Sequence, residues 1–322
     1  MPTTVLDAPT LETLIAASVA APSIHNTQPW RFRLDAPTLT LEIRAVADRG
    51  LRHTDPSGRA LHISVGCALF NLRVAIAHHG WEPVTRLLPR PEEPDLLATV
   101  RLGGSARSST SVPLLYEAVW RRHSSRFPFS DRQVPTSVLA ELAEAAQAEG
   151  AVLDVPEPME VDRLLRLTGQ AEQRNTADTD RAVESRRWVH APNPNSLGMP
   201  PEAIGPQDFR ERIPMRDFGA HRRPAGLAAR PFEKRPSVVV LSTLHDRRAD
   251  WLRAGEALEH VLLVATGHGV RASLLHQALE WPDLREQLAD GRRAHPQMVV
   301  RLGYGPEGPA SPRRSARQAL TD

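Results

Sequence analysis

The sequence predicts an α+β chain of two tandem halves, in which mixed or antiparallel sheets are flanked by long helices. Three observations carry that reading. Segments whose apolar residues alternate with period two are interleaved with segments of helical period along the 322 residues. A helical run that begins Gly66-Cys67-Ala68-Leu69 reaches His79-Gly80, and one that begins Gly255-Glu256-Ala257-Leu258 reaches His268-Gly269 at the same spacing. Each run is followed by an apolar strand closing in Arg-Leu-Gly, at 101–103 and at 301–303. Duplication explains this repeat, with the two long helices packed on each other as an intramolecular pseudo-dimer. Two amphipathic helices that share small-residue spacing by chance would give the same pattern. The halves divide as 1–110 and 111–322.

The elements follow in order. Leu11, Leu14, Ile15 and Val19 recur at helical spacing over 10–21, with Thr10 in the N-cap position. Residues 30–34 and 39–43 alternate with period two around Asp35-Ala36-Pro37-Thr38, which makes a hairpin. Residues 47–59 are polar and contain Asp55-Pro56-Ser57-Gly58, hence a loop. A stripe of Leu61, Val65, Leu69, Leu72 and Ile76 marks a helix over 60–79, stopped by Gly80. Strands at 83–88 and 96–102 complete the first half, and the small polar residues 103–111 read as a linker. The second half opens with a helix over 113–122, then a helix over 136–149, a strand at 151–155 and a helix over 159–173. Residues 186–236 are rich in Pro, Arg and Gly and too long for a plain connection, which predicts a lid or arm. The apolar run 237–241 predicts a central strand. A helix over 248–268 and a strand at 297–302 finish the pattern.

Two segments carry chemistry. Between Pro22 and Pro29, which hold the backbone out of helix, Ser23, Asn26 and Gln28 set a hydroxyl or amide at every second or third residue. Such a loop suits the edge atoms of a flat heteroaromatic ligand, although a turn between a helix and a strand uses the same residue types. Arg121-Arg122-His123-Ser124-Ser125-Arg126 gathers guanidinium groups and hydroxyls at a helix end, a set that matches phosphate oxygens. A solvated basic helix terminus has the same composition.

The run Pro22-Ser23-Ile24-His25-Asn26-Thr27-Gln28-Pro29-Trp30 resembles the Pro-Ser-x-x-Asn-x-Gln-Pro-Trp signature of the FMN-dependent nitroreductase superfamily. Asp55-Pro56, Arg59, Ile63-Ser64 and Asn71-Leu72-Arg73 resemble its actinobacterial Acg-like branch, whose members carry two nitroreductase-like halves in one chain, and the likeness runs over 11–314. This resemblance implies a nitroreductase-like fold and an FMN ring beside Ser23, Asn26 and Gln28. It also implies that Arg122, Ser124 and Arg126 hold the phosphate and ribityl chain. Arg313 and Arg314, trailing Gly303-Tyr304-Gly305, resemble the basic residues that complete the phosphate site; a disordered basic tail is the alternative. The ring motif occurs only in the first half and the phosphate motif only in the second, which implies one FMN between them. The implied activity is NAD(P)H-dependent reduction of nitroaromatic or quinone acceptors. The branch's occluded flavin implies the alternative of a non-enzymatic protein that stores or sequesters FMN under the lid. Flavin chemistry needs no acid-base triad, so no catalytic side chain is assigned. One departure is that 274–280 reads Leu-Leu-His-Gln-Ala-Leu-Glu where active family members have a Glu-Gly-like turn facing the flavin.

Composition removes other classes. The formal net charge is +2 and the basic residues are interleaved with acids, so no nucleic-acid footprint is expected. Cys67 is the only cysteine, which excludes an internal disulfide and a cysteine metal cage; a buried helix position suits it. His78 and His79 point about 100° apart on a helix, so no metal site is expected. No apolar run approaches about 20 residues and Met1-Pro2-Thr3-Thr4 has no signal-peptide character, giving an expectation of no membrane span and a cytoplasmic location. An arm without its own core has the reach to join a second copy as a homodimer.

Overall fold

The computed structural model describes residues 6–106, 110–189, 196–218 and 227–320. The first half runs α1 (Ala8–Val19), β1 (Trp30–Asp35), β2 (Thr40–Ala45), α2 (Arg59–His78), β3 (Trp81–Leu87) and β4 (Leu96–Ser105). Asp7 rather than Thr10 caps α1, its carboxylate accepting from the Thr10 N–H at 2.9 Å. Pro9 in the first turn starts the helix ahead of the apolar periodicity. The four strands form an antiparallel sheet in the order β1-β2-β4-β3. Gly103 and Gly104, expected in a linker, instead continue β4. A Cβ on Gly103 would lie 2.9 Å from the Glu82 carbonyl oxygen, so glycine there lets β3 and β4 close up. Residues 107–109 of that linker lie outside the described residues.

The second half runs α3 (Ser111–Arg121), α4 (Thr136–Ala148), β5 (Val152–Asp154), α5 (Pro158–Ala177), α6 (Thr179–Arg187), β6 (Gln207–Asp208), β7 (Ala229–Arg230), β8 (Ser237–Thr243), α7 (Arg248–Gly267), β9 (Arg271–Leu274), α8 (Pro282–Ala289), β10 (His295–Gly303) and α9 (Ala316–Leu320). Its sheet, β5-β8-β10-β9, is antiparallel and puts β8 inside, as its unbroken apolar run requires. The strand after each long helix is an edge strand, and the Arg-Leu-Gly strand lies next to it in both sheets. The sequence pattern missed α6, α8, α9 and β9, all short or polar. The C-terminal residues form α9, which buries Ala316 and Ala319 against α1 and β1.

α2 and α7 cross at the centre of the molecule. A Cβ on Gly66 would lie 2.1 Å from the Leu252 carbonyl oxygen, and one on Gly255 would lie 2.1 Å from the Ile63 carbonyl oxygen. Each glycine therefore meets the residue three positions before the other, the reciprocal pattern of a local two-fold axis. Cys67 is buried here, as expected. α2 is long and apolar enough to cross a membrane by length and composition, against the expectation from run length, yet most of it is buried in the fold. Its small residues, not a lipid contact, account for that composition: they let α1, α3 and α7 approach it.

The arm predicted at 186–236 begins inside α6, and 190–195 and 219–226 lie outside the described residues. The described part has internal order. The buried Asp208 carboxylate accepts from the N–H groups of Arg210, Arg212 and Ile213 at 3.0 to 3.1 Å. Met199, Ile204 and Phe218 make a small apolar cluster, so the arm does have a core of its own.

Candidate functional site

The loop after α1 is held in a costly conformation. Ile24–Asn26 is a single 3-10 turn, and His25, Asn26 and Gln28 have φ of 48°, 54° and 45°. Left-handed backbone at such residues costs on the order of 1–3 kcal/mol each and persists only where surroundings enforce it. Here the Ser23 hydroxyl accepts from the Gln28 N–H at 2.9 Å, and the Ser64 hydroxyl of α2 accepts from the Ile24 N–H at 3.1 Å.

A cavity of about 1110 Å³, counting its open mouth, lies beside this loop. α2 supplies Arg59, Ile63, Ser64 and Cys67, and the segment after α3 supplies Arg122, His123, Ser124 and Arg126. The end of β9 brings Leu274, Leu275 and His276; the arm brings Met199, Met215, Arg216 and Phe218; the C-terminal tail brings Ser311 and Arg313. Six of the eight residues expected to bind cofactor converge on it: Ser23, Asn26, Arg122, Ser124, Arg126 and Arg313. Gln28 and Arg314 do not line it.

The amides have other partners. Asn26 Nδ2 donates to the Gly198 and Pro312 carbonyls at 2.7 and 2.8 Å, and Gln28 Nε2 donates to the Ser196 carbonyl at 2.7 Å. Gln28 Oε1 accepts from the Arg314 N–H at 3.0 Å. The loop's strained backbone thus aims two amides at the arm and the tail, tying three distant chain segments together. The glycines at 303 and 305 are packing positions: added Cβ atoms would lie 2.6 and 2.8 Å from the Phe129 ring.

Arginines dominate the electrostatics. Arg122 Nη2 donates to the Ala20 carbonyl at 2.9 Å, and its Nε lies 3.2 Å from the buried Glu259 carboxylate without an aligned hydrogen bond. Arg313 reaches the same Ala20 carbonyl at 3.4 Å and donates to Asn26 Oδ1 at 2.8 Å. Burial, then the neighbouring Arg122, brings Arg313 down to about 9. Burial and Arg216 bring Arg126 down to about 10. Burial and these cations hold His25 and His276 well below the ordinary imidazole value, so both are neutral. Among the described residues, no aspartate or glutamate lines the cavity. Sequence reading missed His276, Glu280, Arg216 and Phe218. The last two sit in the arm, where no periodicity marks them.

Burial pushes Glu256, Glu259 and Glu280 up to about 7. A carboxyl whose folded value lies above its unfolded one stabilises fully below the unfolded value, and that contribution is lost as pH rises through about 7. The buried histidines work in the opposite direction below about 6.5, so one group must be isolated. Glu259→Gln, which fixes the neutral shape, is expected to exceed the wild-type apoprotein in urea stability by about 1 kcal/mol at about pH 5.5 and by about 3 kcal/mol at about pH 8. Equal stabilities at the higher pH would remove the claim that Glu259 is neutral when buried.

No protein-family model matches the chain. A Mycobacterium tuberculosis protein named "Putative NAD(P)H nitroreductase" is 33% identical over 321 residues, spanning 98% of this chain and 92% of its own. A second from that organism, named "Putative NAD(P)H nitroreductase acg", is 30% identical over 325 residues, spanning 98% and 96%. Among solved structures, one from Anabaena variabilis titled as a "putative nitroreductase" superposes with a TM-score of 0.51 at 11% identity, covering 92% of this chain and 88% of that one. That likeness is one of fold. Identity of this size over nearly the full length of both chains decides the family: the chain belongs to the nitroreductases, in their Acg-like branch.

Proposed function

We propose that the chain is an FMN-binding oxidoreductase of nitroreductase type, which takes electrons from NAD(P)H and passes them to nitroaromatic or quinone acceptors. The observation that carries this is the convergence of buried Arg122 and half-buried Arg126 and Arg313 with Ser124 and the 22–28 loop on one cavity that, among the described residues, no carboxylate lines. Burying like charges together is unfavourable, and a phosphate offers the compensating anion and bidentate acceptors. FMN supplies hydride and electron transfer when bound. The chain's own tasks are to hold the phosphate on Arg122, Ser124 and Arg313 and to seat the ring beside Ser23 and Ile24. Arg126 would take the groups between them.

One FMN per chain is the expected stoichiometry, with the two halves acting as a pseudo-dimer. The matching strand orders and the reciprocal glycine crossing support that symmetry. Cys67, beside Gly66, lines the cavity, whereas Glu256, beside Gly255, is taken up with Glu149 by Arg73 at 2.7 and 2.5 Å. The second position is thus lined by an ion-pair network that includes two carboxylates, which suits a phosphate poorly. Titrating apoprotein with FMN is expected to quench flavin fluorescence with a break at one per chain. Protein that is colourless and leaves FMN fluorescence unchanged would sink the proposal.

A second reading, an FMN store with little turnover, is favoured by the arm. Asn26 and Gln28 bind it, and its Pro201–Ile204 turn lies on Arg126, whose Nη1 donates to the Ala203 carbonyl at 3.0 Å. Anaerobic mixing of holoprotein with NADPH separates the two, because bleaching on the turnover timescale belongs only to the reductase.

A further inference from the structure

We propose that His276 and Glu280 form a proton relay into the cavity, with His276 protonating the acceptor as it is reduced and Glu280 acting behind it as the proton store. This deepens the oxidoreductase reading and rests on it. Reducing a quinone to a quinol adds a hydride and a proton, and a titratable side chain at the inner wall of the cavity can supply that proton where the acceptor is reduced.

The geometry is specific. His276 ends the β9 segment and lines the cavity, and its Nε2 lies 3.1 Å from Glu280 Oε1, which a small ring rotation aligns for transfer. Glu280 has no solvent contact of consequence, with a side chain 2% exposed. Its carboxyl is faced by Arg216 from the arm, by Arg181 from α6 at 3.5 Å, and by Asn175, at 3.3 Å, and Glu172 from α5. His276 is faced by His25 of the loop, Arg59 of α2, Arg126 and Arg216. Burial first, and then these cations, keep the imidazole neutral, so it can accept and donate in one motion. The cations also stabilise the carboxylate that remains. His25 is a poorer donor, since its Nε2 faces Arg216 at 3.1 Å and no carboxyl stands behind it.

The step balances as follows. FMN, when bound, would supply the hydride to the acceptor. The His276 Nδ1–H bond breaks as an O–H bond forms on the acceptor, and the Nε2 lone pair takes the proton of the Glu280 carboxyl. Imidazole is neutral before and after with its tautomer exchanged, Glu280 becomes a carboxylate, and both groups recover a proton from water once the quinol leaves. Burial pushes Glu280 up to about 7, so the loaded store is present below that pH and lost above it.

The test separates proton delivery from structure. Holoprotein reduced with dithionite, which bypasses NADPH, is mixed with a quinone or with ferricyanide, an acceptor that takes electrons alone. In wild type, quinone reduction is expected to slow as pH rises through about 7 and to slow in deuterated solvent. His276→Gln, which leaves Glu280 paired with Arg216 and Arg181, should slow the quinone reaction by about 100-fold or more and flatten its pH profile. Its quinone rate should fall at least about tenfold further than its ferricyanide rate, with both read on protein saturated with FMN. Independently of turnover, an infrared carboxylic-acid band at neutral pH should vanish in Glu280→Gln. A His276→Gln protein that reduces quinone at the wild-type rate, or slows equally with both acceptors, overturns the relay. Protein that never binds FMN fails the underlying reading instead.

Discussion

Gly66→Ala is expected to destabilise the protein by about 3 kcal/mol or more, enough to make much of it insoluble, although it adds a single methyl group in a helix where alanine has the better propensity. The reason is what that methyl meets. At 2.1 Å from the Leu252 carbonyl it collides with backbone, which cannot rotate away as a side chain can. The helices must separate, and the gap propagates along the α2–α7 interface, where Leu69, Leu72, Leu258 and Leu262 are all buried in one core. Gly255→Ala should behave alike, because the contact is reciprocal. Gly267→Ala, at the end of α7 with nothing within 4 Å of the added atom, is the control and should stabilise slightly. Urea unfolding of the three variants checks this. Losses under about 1 kcal/mol at both crossing glycines would mean that the helices do not cross this closely.

The crossing was legible in sequence because close helix packing leaves a glycine at the same place in two helical runs of the same length. The long helices and the apolar strands were legible for the same kind of reason: burial forces a period. The 22–28 loop, the 122–126 segment and the tail arginines were singled out by resemblance, and six of their eight expected residues line one cavity. Gln28 and Arg314 show what such a reading misses. Each is a neighbour of cavity-lining residues and yet they bond each other, Arg314 N–H to Gln28 Oε1, away from the cavity. A motif says which residues occur together and not which way each one faces. The arm was legible only as an irregularity, since Arg216 and Phe218 take their places through contacts with His25, far along the chain. α9 is too short to show a period, and tertiary packing on α1 makes it a helix.

Arg313 and Arg314 therefore give the sharpest test of the cofactor site. The two are adjacent, equally charged and equally implicated by sequence, but only Arg313 lines the cavity. Its guanidinium is fixed in advance by the Ala20 carbonyl and Asn26 Oδ1, so little ordering remains to be done when an anion arrives. Burial, and then the neighbouring Arg122, bring it down to about 9, and a bound phosphate relieves the repulsion between the two. Charge-assisted hydrogen bonds of this kind contribute about 1.5 to 3 kcal/mol each, and two from one guanidinium give about 3 to 4 kcal/mol once shared with Arg122. Arg313→Met is accordingly expected to weaken FMN binding by roughly 100- to 1000-fold, since each 1.4 kcal/mol is about tenfold. Arg314→Met removes the same formal charge, leaves the backbone N–H that Gln28 uses, and should change the affinity by less than about fivefold. Fluorescence titration of both variants at one ionic strength reads the difference. Equal losses would reduce the effect to net charge at the C-terminal tail, and no loss in Arg313→Met would take the phosphate away from the Arg122 end of the cavity.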